Sequence, residues 1–238
     1  MIKTFIICNP IKERFRYFNL VKQIKENSIN FHKCQIFNYI WGDQITPEVR
    51  SKYCKSDYSM RFHNRNMKQN PLTNGEISLF INHIECLRKI RKEYTSGNFL
   101  ILESDVIFCK DFNFYFEKVL DSCKNINDWD IINIGYGTRY FLIKKKGYPK
   151  SEPIILNDLK FYKEDINCCI EGLIWNYKSI CKFLDYFEKD EDIDSPFDTK
   201  IDIYSQIKKE FNIYWCCPCL VKQGSMLTKS SLFKSTIH

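Results

Sequence analysis

The chain has 238 residues, 44% hydrophobic and 16% aromatic, with 8 glycines and 7 prolines. That composition excludes a disordered or collagen-like chain, and the length lets roughly 70% of the unfolded surface be buried without disulfide or metal staples. Lys and Arg number 36 against 29 Asp and Glu, a net +7 that suits an anionic small molecule such as a nucleotide but is too dispersed to point to nucleic acid.

Residues 3–8 read as a buried strand, and the spacing of Ile11, Phe15, Phe18 and Val21 predicts an amphipathic helix to about residue 27. Residues 34–40 read as the next strand. A polar stretch over 41–74 lacks strong periodicity and is taken as a variable insertion, either functional or locally mobile; its cations Arg61, Arg65 and Lys68 read as solvated. A helix after Asn74-Gly75 carries its apolar stripe on Ile77, Phe80, Ile81, Ile84 and Leu87. The run 99–102 is a short buried strand that ends in Glu103-Ser104-Asp105. A helix over 112–123, strands over 129–135 and 169–175, and helices over 179–187 and 198–211 complete the pattern. Lys144–Lys146 reads as a solvated turn and Asp190–Asp192 as a solvated loop. The alternation predicts an α/β domain with a parallel or mixed sheet and helices on both faces.

No run of eighteen apolar residues occurs, so no membrane span is expected, and the apolar run at the start is too short for a secretory segment. A cytoplasmic location is the expectation. Twelve cysteines are then expected to be reduced and mostly buried. Cys216 and Cys219, with Cys168-Cys169 upstream, lack the second spaced pair and the histidines of a zinc site.

In an open α/β sheet, ligands bind beyond the carboxyl ends of the strands. Glu103 and Asp105 stand at such an end, and in extended chain they share one face. Two hard carboxylates suit Mg²⁺ or Mn²⁺, which complete their shells with water and phosphate oxygens. Glu76 and His83, seven residues apart, fall on one side of their helix; they read either as donor-binding groups or as a helix-start carboxylate and a half-buried histidine.

The stretch Pro71-Leu72-Thr73-Asn74-Gly75-Glu76-Ile77 through His83, followed by Leu100-Ile101-Leu102-Glu103-Ser104-Asp105-Val106, resembles the paired signatures of glycosyltransferase family 25. This family includes lipooligosaccharide and collagen hydroxylysine galactosyltransferases. Ile7-Cys8-Asn9 with Arg14 and Arg16 resembles its first segment, Trp129-Asp130-Ile131 its W-D-I strand, and Cys216–Gln223 its closing P-x-L-V-x-Q. Ser104 stands where the family has the middle Asp of E-D-D, Asn82 where it has Ser, and Ser78 where it has Gly.

The resemblance implies a GT-A-like, Rossmann-type mixed sheet flanked by helices in one glycosyltransferase domain over 1–238. It implies transfer of galactose or glucose from a UDP-sugar to a glycan or hydroxylated acceptor, with inversion and with Mn²⁺ or Mg²⁺. Donor contacts fall on Asn9, Arg14, Glu76, His83, Glu103 and Asp105, with the last two on the metal. The base is sought among Asp202, Glu171 and Asp198, with Asp202 favoured because it resembles the family's late Asp. The rival readings are a sugar- or protein-binding module that lost turnover, motivated by Ser104, and a metal-dependent phosphoesterase.

Overall fold

The computed structural model describes residues 2–29, 34–55, 59–63, 66–70, 72–137, 149–167, 169–206 and 209–224. Arg65, Lys144–Lys146 and Cys168 lie outside them. The central sheet has eight strands: β1 (Lys3–Ile7), β2 (Cys34–Phe37), β5 (Asn98–Glu103), β7 (Ile131–Asn133), β8 (Ile154–Leu156), β9 (Leu159–Glu164), β10 (Gly172–Asn176) and β11 (Ile213–Cys217). Their order is β2-β1-β5-β10-β7-β11-β9-β8. β1 runs parallel to β2 and β5, and β11 parallel to β7, while β10, β9 and β8 pair antiparallel with their neighbours. The sheet is therefore mixed, with helices on both faces, as a GT-A-like Rossmann-type arrangement requires.

The alternation of side chains sorts the core into two layers. Phe5, Phe99, Ile101, Leu173, Trp175 and Trp215 pack under α3 (Asn74–Glu93), α5 (Tyr177–Asp190) and α6 (Phe197–Gln206). Ile6, Leu100, Leu102, Ile132, Ile174 and Tyr214 face α1 (Arg14–Glu26) and α4 (Phe112–Ser122). A strand buried on both faces has no polar side to show, which is why β5 reads as an unbroken apolar run.

Two expectations need correction. The stretch 41–74 has regular structure: a 3-10 turn at Gly42–Gln44, α2 (Pro47–Tyr53), and a hairpin of β3 (Ser59–His63) with β4 (Asn66–Asn70), which carries Arg61 and Lys68. Thr46 caps α2 by accepting the Val49 N–H, and Pro47 occupies the first helical position, where no amide hydrogen is needed.

The second concerns α1. Of the expected stripe, Ile11 lies in the turn before the helix, and Phe15, Phe18 and Val21 stand exposed on it, while Leu20 is buried and Tyr17 and Ile24 are half-buried against the core. Polar bonds hold the helix in this rotation. Gln23 bridges β6 (Val106–Phe108) by donating to the Val106 carbonyl and accepting the Phe108 N–H, both at 3.0 Å.

Candidate functional site

β5 ends at Glu103, on the same face as Phe99 and Ile101. The antiparallel register of β5 with β10 pairs Leu102 with Gly172, so Glu171 stands opposite Glu103, whose N–H donates to the Glu171 carbonyl at 3.2 Å. Opposite residues of such a pair share a face, and two carboxylates there repel.

Glu171 is fully buried. Its Oε1 accepts the Gly137 N–H at 2.9 Å, and its Oε2 has no hydrogen-bond partner among the described residues. The side chain lies against Gly135, where a Cβ would come 2.5 Å from the Glu171 carboxyl carbon; only glycine fits. Asn133 holds this corner by accepting the Gly135 N–H and donating to the Asn167 carbonyl, at 2.7 and 2.6 Å.

Burial pushes the Glu171 carboxyl up to about 7. Burial also raises Glu103 well above the usual carboxylate range, followed by repulsion from Asp105, Glu171 and Asp198, with Arg16 opposing. Asp198, in the first turn of α6, is raised by burial although it accepts the Thr199 N–H at 2.8 Å. Asp202, one turn on, accepts the Asn167 N–H at 2.5 Å and so holds the segment leading to Glu171.

Glu103 and Asp105 form one wall of a cleft of about 350 Å³, whose other walls include Glu13 and Arg16, Trp41–Asp43, the start of α3 at Thr73–Gly75, and Gln223. That volume is within the range of small-molecule sites. Neither Glu171 nor Asp198 lines it; both lie near enough to Glu103 to raise it.

Ser104 turns the other way. Its hydroxyl donates to Glu13 Oε1 at 2.7 Å, and the same oxygen accepts from Arg16 at 3.0 Å. Glu13 Oε2 accepts the Asn9 N–H, while Asn9 Oδ1 accepts from the Ile11 and Lys12 amides, each at 3.1 Å. Asn9 thus shapes the turn that delivers Glu13. A carboxylate from the residue that precedes α1 comes within hydrogen-bonding reach of position 104.

The sequence model of the family described as glycosyltransferase family 25 (LPS biosynthesis protein) matches residues 1–199. The chain belongs to glycosyltransferase family 25. Solved structures that align with it include the apo form of the glycosyltransferase GlyE from Streptococcus pneumoniae TIGR4, at 12% identity and TM-score 0.40 over 89% of this chain and 44% of that one. The galactosyltransferase LgtC in complex with donor and acceptor sugar analogues aligns at 11% identity and TM-score 0.41, over 90% and 73%. Mouse xyloside xylosyltransferase 1 aligns at 10% and 0.37, over 89% and 84%. The chain spans less than half the length of the GlyE structure. No curated protein matches it in sequence.

Within this family-25 chain the remaining motif residues take other positions. Glu76 closes a capping box at the start of α3: its carboxylate accepts the Thr73 N–H at 2.8 Å and hydroxyl at 3.0 Å, and the Glu76 N–H returns to the Thr73 hydroxyl. His83 is wholly buried rather than half-buried. Its ring stacks on Phe197 at 4.4 Å, neither nitrogen has a partner among the described residues, and burial pushes it down to about 3. Arg14 points outward with its guanidinium over Phe18, and it is Arg16 that lines the cleft.

Sequence reasoning missed Glu13 and Asp43 as wall residues; the three-residue spacing of Glu13 from Arg16, one face of a helix, was the available signal. Among the described residues no group of three or more His, Cys, Asp or Glu is arranged to hold a metal ion, and the described cysteines are free thiols. No described helix is long and apolar enough to cross a membrane.

Proposed function

We propose that the protein transfers galactose or glucose from a UDP-sugar to a hydroxyl of a glycan or other hydroxylated acceptor, with inversion at the anomeric carbon. The observation that carries this reading is the pair Glu103 and Asp105 on the cleft wall, with Glu103 raised by burial and then by three neighbouring carboxylates. Mutually repelling, desolvated carboxylate oxygens fit a hard dication, so Glu103 and Asp105 would hold Mn²⁺ or Mg²⁺ with water and diphosphate oxygens completing the shell. Such an ion supplies neutralisation of the charge that grows on the departing diphosphate. The Trp41 indole on the same cleft offers the uracil a flat face to stack on.

Inversion needs a base for the acceptor proton, and a base works best with a pKa near the working pH. Glu171, pushed to about 7 with one oxygen unpartnered, fits that pKa better than Asp202, whose carboxylate already accepts the Asn167 amide; because it stands behind the cleft wall, the acceptor hydroxyl has to reach past Glu103 to meet it. Asp198 is the second candidate, raised by burial beside Glu103.

Incubation with UDP-galactose, UDP-glucose and a control UDP-sugar, with Mn²⁺ or chelator and a panel of acceptors, tests the reading. One donor is expected to be consumed with Mn²⁺, and proton NMR of the product should show the opposite anomer. A retained anomer refutes inversion, consumption of no donor favours a binding module, and ester cleavage without sugar preference favours a phosphoesterase.

A further inference from the structure

The outward face of α1 is the largest concentration of exposed apolar side chains among the described residues. Ile11 is 86% exposed, Phe15 69%, Phe18 54% and Val21 43%. Single exposed apolar residues are ordinary, whereas a run along one helix face marks a contact surface. At 100° per residue Arg14, Phe15, Phe18, Val21, Lys22 and Lys25 fall on one side of the helix, and all of them are exposed, as is Ile11 in the turn before it. The nearest carboxylate on the helix is Glu26, at the edge of that side and 3.7 Å from Lys22. Arg14 spreads over the Phe18 ring, 5.4 Å from its centroid.

We propose that this face docks the protein on an anionic lipid surface. Phenylalanines interleaved with lysine and arginine are what an interfacial helix presents: rings enter the boundary of the acyl chains, and cations pair with acidic headgroups. A second protein copy would bring the same cations against one another, because a two-fold interface joins like to like; the charge pattern therefore selects an acidic, apolar-edged partner. Glu13 and Arg16 sit on the opposite side of α1, in the cleft, so docking by the outward face leaves the cleft clear.

Co-sedimentation of the full chain with phosphatidylcholine vesicles, with and without phosphatidylglycerol, tests the proposal. Binding is expected to need phosphatidylglycerol and to weaken as salt is raised. Lys22→Gln with Lys25→Gln should weaken it about fivefold per cation, and Phe15→Ser with Phe18→Ser about tenfold or more per ring. Phe114→Ser, on an exposed ring of α4, should bind as wild type. Circular dichroism of each variant checks that it folds, and UDP binding in the cleft should be unchanged. No binding to either vesicle would overturn the proposal, as would binding that survives both double variants. A concentration-dependent dimer abolished by Phe15→Ser with Phe18→Ser would assign the face to a second copy and overturn it equally.

Discussion

The end of β5 and the start of α3 both carry titratable residues from matched signatures, yet the fold uses them differently. At β5, Glu103 and Asp105 line the cleft, and Glu171 stands across from Glu103 with an unpartnered oxygen. At α3, Glu76 is consumed by the capping box, and His83 is sealed beneath Phe197. Burial shifts Glu171 and His83 alike, so a perturbed pKa alone does not separate a working group from a core group. The difference lies in the company each keeps: carboxylates gather at β5 and repel, whereas His83 stacks on Phe197 with no hydrogen-bond partner among the described residues, and burial keeps it neutral.

The sharpest test of that contrast is Glu171→Gln. As the base, its loss should cut the transfer rate roughly 10²–10⁴-fold with donor affinity nearly unchanged. The wild-type rate should climb with pH through about 7, and that limb should vanish in the variant. Asp202→Asn should stay within about tenfold of wild type on the same footing; a dead Asp202→Asn beside an active Glu171→Gln would return the role to Asp202.

His83 breaks the comparison from the other side. Its folded pKa, about 3, lies below the unfolded value near 6.5, so the stability it confers is whole above pH 6.5. That stability is lost as pH falls from 6.5 toward 3, about 2 kcal/mol of it by pH 5. His83→Leu should flatten this acid slope in urea titrations at pH 7 and pH 5 while leaving UDP binding intact.

A smaller effect concerns the metal pair. Mn²⁺ is expected to tighten UDP binding in wild type by about tenfold, or 1.4 kcal/mol. Asp105→Ala should remove that gain in calorimetric titration; an equal gain in the variant would exclude Asp105 as a ligand. Smallest of all, Ser104→Ala deletes one hydrogen bond to Glu13 and should cost about 1 kcal/mol of stability, read by thermal melting.

How legible these regions were follows from their physics. β5 and α3 announced themselves because a doubly buried strand must be continuously apolar and a half-buried long helix must keep one stripe. β3, β4 and β8 did not, since short strands at an edge or in a separate hairpin have no such obligation, and β9 alternates buried Leu159 and Phe161 with exposed Lys160 and Lys163 instead of forming an apolar run. α1 misled: its most regular apolar spacing faces outward, and polar bonds from Glu13 and Gln23 decide its rotation. The pairing of Glu103 with Glu171 across 68 positions depends on strand register, which no local pattern encodes.

Gly135 has no liberty while Glu171 remains, because a side chain there would strike the carboxyl carbon at 2.5 Å. The two positions therefore constrain one another. A descendant that abandoned turnover and shed the carboxylate would be released to accept another small residue at 135, and one that kept turnover would not. With Glu171 as the proposed base, a larger residue at position 135 in a related chain would then mark the loss of that carboxylate.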